Sequence, residues 1–395
     1  MKLATVDAAR ERMLAACGRL GAETVSLADA ADRVLAEDVR AVRDQPPFDA
    51  SAMDGWAVRA AETPGRLVIA GESAAGRAFD GAMPASSAVR IFTGAPLPPE
   101  ADAIVIQEDA TRDGDLVEVP RAEAGTYVRR RGLDFAAGEA LLRAGQRLDP
   151  WRLALAAASG RAELQVARRP RVLLLSTGEE LAAAGSAPGP YQIFDSGGPA
   201  VIALAESVGA AAERQVAGDD MDALLAKLEG VTADLIVTIG GASVGDHDLV
   251  REAGRRLGLA LSVESLAMRP GKPTFFGTFQ DGRRWLGLPG NPASAMACAE
   301  LFLKPILRAL QGEAPGPNLV QARTTQPLAA NGPREHWMRA VLGEDAAGRT
   351  ATPLGDQDSS LVRVFAAADA LLLRPAGAPA AAAGEAVEVL PLPRA

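Results

Sequence analysis

Segment 234–248, Asp-Leu-Ile-Val-Thr-Ile-Gly-Gly-Ala-Ser-Val-Gly-Asp-His-Asp, brings two kinds of chemistry into one turn. Gly240 and Gly241 let the backbone turn tightly and approach a ligand with no Cβ in the way. Ser243 adds a hydroxyl, and Asp246 and Asp248 add carboxylates. Amide N–H groups between a strand and a helix bind anions, and neighbouring aspartates hold hard cations such as Mg²⁺. A phosphorylated or oxyanionic substrate handled with Mg²⁺ fits both. The plainer alternative is that one aspartate caps the following helix and the glycines only turn the chain.

Other stretches offer matching groups. Thr177, Gly178, Glu179 and Glu180 follow an apolar run, and Asp219-Asp220 precedes a helical pattern, where one of the two is expected to be a cap. Carboxylates from separate strand ends can collect around Mg²⁺, which keeps waters and binds substrate phosphate. Arg269 and Lys272 flank a Pro-Gly turn, so both can reach one anion, the arginine as a planar fork and the lysine as a point charge. Pro289 and Pro292 stiffen a Pro-Gly-Asn-Pro turn suited to a pocket wall. Asp54-Gly55 and Thr93-Gly94 each read as a turn. Arg129, Arg130 and Arg131 could meet phosphate, but a run of three reads first as a solvated face or an interface. Arg339 and Ser359 are weak candidates on local sequence alone.

These residues need elements to hold them. Leu235–Ile239 and Val172–Leu175 read as buried strands. Helices are expected over about 199–209, 223–228, 248–257 and 295–310. Phe275–Phe279 and Trp285–Leu288 read as strands joined by an Asp-Gly hairpin. Strands alternating with helices argue for a doubly wound α/β domain over 170–312, with ligands beyond the carboxyl ends of its strands. Residues 43–125 alternate short β-like runs with turns, a small β domain, and residues 313–395 read as a second one. Residues 1–40 read as helical throughout, and a helix is expected from Trp151 to Gly160.

Composition narrows the function. The 395 residues carry a net charge of −9, which argues against general nucleic-acid binding. No apolar run is long enough to span a membrane, and the N-terminus lacks a signal-peptide layout. Two distant cysteines, Cys17 and Cys298, point to core thiols and a reducing, cytoplasmic setting. With only two histidines, His247 and His336, chemistry must rest on carboxylates, a metal and amides.

Six segments then carry a resemblance: 48–58 (FDASAMDGWAV), 92–98 (FTGAPLP), 176–181 (STGEEL), 240–248 (GGASVGDHD), 269–273 (RPGKP) and 287–292 (GLPGNP). Their order resembles that in the molybdopterin molybdotransferase family, the bacterial MoeA type related to the gephyrin E domain. The resemblance covers essentially the whole chain. It implies insertion of molybdate into adenylated molybdopterin with Mg²⁺ and release of AMP. The implied fold is a multidomain α/β one: a discontinuous helical linker domain (1–42 and 126–169), an inserted β domain (43–125), a molybdopterin-binding α/β domain (170–312) and a small C-terminal β domain (313–395). It also implies a homodimer whose active site draws on both subunits, with molybdopterin adenylyltransferase and molybdenum cofactor acceptors as partners.

Carried over by resemblance, Glu180, Asp219 and Asp248 are acidic active-site groups and metal ligands, joined by Asp54 and Thr93 of the partner chain. Ser243, Arg269, Lys272, Arg339 and Ser359 resemble the molybdate-binding set. Thr177, Gly178, Gly240 and Gly241 belong with the cofactor-binding loops, and Pro289 and Pro292 with the cleft wall. Asp246 falls back to a helix cap. Departures from the family pattern fall at Gly197, Leu133, Ser265, Arg269, Asp358, Arg363 and Val364. Asp358 is expected to set a negative charge beside the oxyanion. The alternatives carried forward are a molybdopterin-binding scaffold without metal insertion, and a tungstate-inserting homologue.

Overall fold

The computed structural model describes residues 3–218, 220–241 and 249–392. The chain forms two compact units. One comprises Met1–Glu23, Asp32–Ala36 and Val166–Ala395, the other Thr24–Ala31 and Glu37–Gln165.

Helix α1 (Val6–Ala15) opens the first unit, capped by the Thr5 hydroxyl, and buries Val6, Ala9 and Met13. Helix does not continue to residue 40 as expected. A strand covers Ala22–Ser26, and a single 3₁₀ turn covers Leu27–Asp29. Gly18 and Gly21 interrupt the helical pattern, and Thr24-Val25 favours extended backbone.

The second unit is built on six strands: β1 (Gly55–Val58), β2 (Gly65–Ser73), β3 (Ser87–Ile91), β4 (Ala103–Ile106), β5 (Thr111–Asp113) and β6 (Leu116–Val119), ordered β4-β1-β3-β2-β6-β5. Both sheet faces are buried. Trp56, Val58 and Val105 lie in one cluster, and Ala57, Ile91 and Ile104 in another. Gly55 begins β1 because a Cβ there would lie 2.0 Å from the Val105 carbonyl oxygen. Helix α2 (Pro150–Ala158) is capped by Asp149, whose carboxylate accepts from the Arg152 amide. Two of the three arginines form a clasp: Arg130 pairs with Asp49 at 2.6 Å, and Arg131 with Asp44.

In the first unit a six-stranded sheet contains β7 (Arg171–Thr177), β8 (Ala211–Ala217), β9 (Leu235–Ile239), β10 (Ala260–Val263), β11 (Phe275–Thr278) and β12 (Arg284–Leu288). Its order is β8-β7-β9-β12-β11-β10. The β8-β7-β9-β12 pairings are parallel, whereas β12-β11 and β11-β10 are antiparallel. The connecting helices are α3 (Gly197–Ser207), α4 (Met221–Leu228), α5 (Leu249–Arg256), α6 (Pro292–Cys298) and α7 (Lys304–Leu310). A π-helical turn at Ala299–Leu303 joins α6 to α7. Leu235, Val237 and Ile239 face one apolar cluster with α3, α6, α7 and α1, while Ile236 faces the other with α4 and α5. Coverage of both faces is why these strands read as continuous apolar runs rather than alternating ones. The expected hairpin is present, with the Gly282 amide donating to the Phe279 carbonyl at 3.1 Å.

Beyond α7, β13 (Val320–Thr324), β14 (Glu335–Asp345), β15 (Gly348–Pro353), β16 (Ala370–Arg374) and β17 (Ala386–Pro391) pair in a closed ring, β14-β15-β13-β17-β16 and back to β14. Closure leaves no strand edge within the ring. A short helix, α8 (Val362–Ala367), interrupts the β pattern. Met268–Arg269 adds a parallel pairing to β14, setting Arg269 opposite His336.

Candidate functional site

From β7 the chain crosses one way to β8, then back past β7 to β9. Loops leaving the carboxyl ends of β7 and β9 therefore part at the point where the strand order reverses, where open α/β sheets bind ligands. A cleft of about 750 Å³ lies there. Its lining includes Thr177, Gly178 and Glu180 after β7, Gly240 and Gly241 after β9, and Pro289, Gly290 and Asn291 after β12. Arg269 and Lys272 contribute from the Pro-Gly turn, and Arg334, Gln357, Asp358 and Ser359 from the barrel.

The glycine pair is sterically required. Gly240 and Gly241 have φ of 91° and 61°. A Cβ on Gly240 would lie 2.5 Å from the Thr177 carbonyl oxygen, and one on Gly241 2.3 Å from Val250 Cγ2. β7 and β9 thus approach closely where the cleft begins, and the Thr177 hydroxyl donates to the Ile239 carbonyl at 3.4 Å.

The cleft is cationic. Arg269 and Lys272 are exposed within it. Neither they nor Arg334 forms an ion pair with a described carboxylate. Behind the lining sits Arg339, fully buried, whose Nη2 donates to the Asp358 carbonyl at 3.0 Å. Its Nε and Nη1 are enclosed without a hydrogen-bond partner among the described residues. Burial first, then the nearby Arg269 charge, push the Arg339 pKa down. Gln357 braces this arginine reciprocally, its Oε1 accepting from the Arg339 amide at 2.8 Å and its Nε2 donating to the Arg339 carbonyl at 3.0 Å. Buried donors without acceptors beside a concentration of positive charge suit an oxyanion, which supplies acceptors and opposite charge together.

Asp358 lines the same cleft and sets a negative charge there, within electrostatic reach of Arg339. Its carboxylate accepts from the Ser360 hydroxyl at 2.7 Å and the Ser360 amide at 2.8 Å, which hold its pKa below the usual carboxylate range. Of the other departures, Gly197 begins α3, where a Cβ would find only ordinary contacts with Ile239 and Pro292. Arg363 and Val364 lie on α8. Ser265 is buried and Leu133 is exposed.

The match to known proteins extends along the chain. Residues 4–160 match the MoeA N-terminal region (domain I and II), residues 173–309 the family described as "Probable molybdopterin binding domain", and residues 321–392 the MoeA C-terminal region (domain IV). A Mycobacterium tuberculosis protein named molybdopterin molybdenumtransferase 2 is 38% identical over 395 aligned residues, covering 95% of this chain and 96% of the relative. A Nostoc molybdopterin molybdenumtransferase is 35% identical over 389, covering 94% and 89%. The chain belongs to the MoeA, or molybdopterin molybdenumtransferase, family. A solved MoeA structure from Pyrococcus horikosii superposes with a TM-score of 0.84 at 31% identity, covering 99% of both chains. The multidomain α/β architecture expected from the six segments is therefore that of MoeA.

Within this MoeA-type cleft the structure gathers Thr177, Gly178, Glu180, Gly240, Gly241, Arg269, Lys272, Pro289 and Ser359. Arg339 lies behind the lining, and Pro292 begins α6 without lining the cleft. Asp54 and Thr93 belong to the other compact unit. There the Asp54 carboxylate accepts from the Thr93 amide at 2.7 Å and the Thr93 hydroxyl at 2.9 Å, and these bonds lower its pKa. Asp219, Ser243, Asp246 and Asp248 lie outside the described residues.

Sequence reasoning missed Asn291, Arg334 and Gln357 as site residues. Asn291 stood inside a quoted motif, so its signal was available. Arg334 and Gln357 carry none, because only the barrel's non-local pairing brings them to the cleft.

Proposed function

We propose that this chain inserts molybdate into adenylated molybdopterin, releasing AMP and yielding molybdenum cofactor. The observation that carries this is the cationic cleft at the strand-order reversal, with Arg269, Lys272 and Arg334 free of described ion pairs and two nitrogens of Arg339, Nε and Nη1, unpartnered among the described residues. Molybdate is a tetrahedral dianion and needs this combination of charge and donors. The dithiolene sulfurs come from molybdopterin, consistent with Cys298 being buried and Cys17 lying away from the cleft lining.

Arg269 and Lys272 neutralise charge that develops as the adenylate phosphate leaves, and Gly240 and Gly241 allow substrate close to the backbone. Glu180, with Asp219 and Asp248, is assigned to hold Mg²⁺, and Glu180 fits because it presents a hard oxygen donor to the same cleft. Among the described residues no cluster of three metal-type ligands occurs, so the set depends on Asp219 and Asp248. Mg²⁺ bound there supplies charge stabilisation to the phosphates.

The four-part domain division, with its discontinuous linker, completes this reading. So does a cytoplasmic homodimer in which Asp54 and Thr93 serve the partner's site, fed by molybdopterin adenylyltransferase and discharging to cofactor acceptors. No helix among the described residues is long and apolar enough to cross a membrane.

The test is AMP release by the purified protein with adenylated molybdopterin, molybdate and Mg²⁺. Release that depends on molybdate is expected; release unaffected by molybdate, or none, overturns the proposal.

A further inference from the structure

Asn291 breaks a local rule. It occupies the N-cap position of α6 but makes no side-chain capping bond. The N-cap side chains of α1, α2 and α4 (Thr5, Asp149 and Asp220) accept from their helices, whereas Ser196 at α3, like Asn291, does not. Asparagine is among the best capping residues, and forgoing that bond costs helix stability. The amide is used elsewhere: Asn291 Nδ2 donates to Ser359 Oγ at 2.8 Å. This bond joins the loop after β12 to the barrel, and both residues line the cleft. Sites where a local rule is broken are where function is expected to be found.

The consequence follows from the serine's inventory. A hydroxyl has one proton to give and lone pairs to accept with. With Asn291 as donor, a Ser359 lone pair is engaged and its single proton is left for another acceptor. The backbone on either side of Ser359 is already fixed. Arg339 Nη2 holds the Asp358 carbonyl, and the Asp358 carboxylate holds the Ser360 amide and hydroxyl. What remains free is rotation of the Ser359 hydroxyl, and Asn291 sets it.

We propose that Asn291 is a positioning residue that keeps Ser359 a hydrogen-bond donor toward the oxyanion in the cleft. This rests on the reading of the cleft as a molybdate site. Asn291 acts through Ser359, so its contribution disappears when Ser359 is absent.

The experiment is calorimetric titration of the full-length protein with sodium molybdate, for wild type, N291A, S359A, the double variant, N291S and N291D. N291A and S359A are each expected to weaken binding about tenfold, the scale of one hydrogen bond to a charged group. The double variant is expected to bind no more weakly than S359A, since residues in one hydrogen-bonded pair are not additive. N291S restores a capping side chain too short to reach Ser359, so it separates helix stability from positioning and is expected to lose as much affinity as N291A. N291D is expected to bind most weakly, because a carboxylate takes the serine proton and adds negative charge. In the AMP-release assay N291A should raise KM for molybdate while kcat at saturation stays within about twofold. Wild-type affinity in N291A, or equal losses on removing Asn291 with and without Ser359, overturns the proposal. Failure of the wild type to bind molybdate overturns instead the reading of the cleft beneath it.

Discussion

A buried charge with unused donors is costly, and Arg339 is the clearest case among the described residues. It is fully buried, with Nε and Nη1 lacking described partners. Replacing buried ionic groups with apolar residues of similar volume is often neutral or stabilising. The Arg339→Met variant is therefore expected to keep or raise the thermal midpoint while molybdate-dependent AMP release falls about 100-fold. A lower midpoint with activity retained would assign this arginine to stability instead. Nearby, His336 faces Arg269 across the strand pairing and Arg374 on β16. Burial, then Arg269, Arg339 and Arg334, push its pKa down from 6.5 to about 4. The folded state thus favours the neutral imidazole, and between about pH 4 and 6.5 the unfolded chain binds more protons. Stability is present above pH 6.5 and is lost as pH falls toward 4, by on the order of 1–2 kcal/mol once solvent screening is allowed for. Urea midpoints at pH 7 and pH 5 should show this loss, and His336→Gln should reduce it. An unchanged loss in that variant would place the acid sensitivity elsewhere.

Elements whose two faces are both covered were the ones legible in sequence. β7, β9 and the β11–β12 hairpin stand out because burial on both faces makes each a continuous apolar run, and Asp281-Gly282 marks the turn. β8 was not legible. Its sequence, Ala-Ala-Glu-Arg-Gln-Val-Ala, is largely exposed at the sheet edge, so no apolar pattern announces it. The segment after α1 misled in the opposite direction, since its alanines and leucines suit a helix while Gly18 and Gly21 break it. The cleft divides the same way. Gly240, Gly241, Arg269 and Lys272 sit in short motifs with a local physical reason. Arg334 and Gln357 arrive only through barrel closure, which pairs residues distant in sequence. One non-local contact matters most: the parallel pairing of Met268–Arg269 with β14 delivers Arg269 beside His336 and in the electrostatic reach of Arg339.

At the scale of the whole molecule, Asp54, with the Thr93 hydroxyl bonded to it, and the cationic cleft belong to different compact units. The proposed homodimer supplies each site from two chains, and complementation tests this directly. Asp54→Ala and Arg269→Ala are each expected to inactivate a homodimer, since each removes one half of both sites. Co-expressed, the two variants also form mixed dimers. In a mixed dimer one site receives both defects, and the other receives Asp54 from the Arg269→Ala chain and Arg269 from the Asp54→Ala chain. Random pairing makes half the dimers mixed, each with one intact site of two, so activity should recover to about a quarter of wild type. If each chain instead built its own site, no combination would contain an intact one, and the mixture would stay as inactive as its parents. Molybdate-dependent AMP release by the co-purified mixture, with mixed dimers confirmed by two affinity tags, separates these outcomes. Recovery near a quarter supports the shared site, and no recovery in confirmed mixed dimers overturns it.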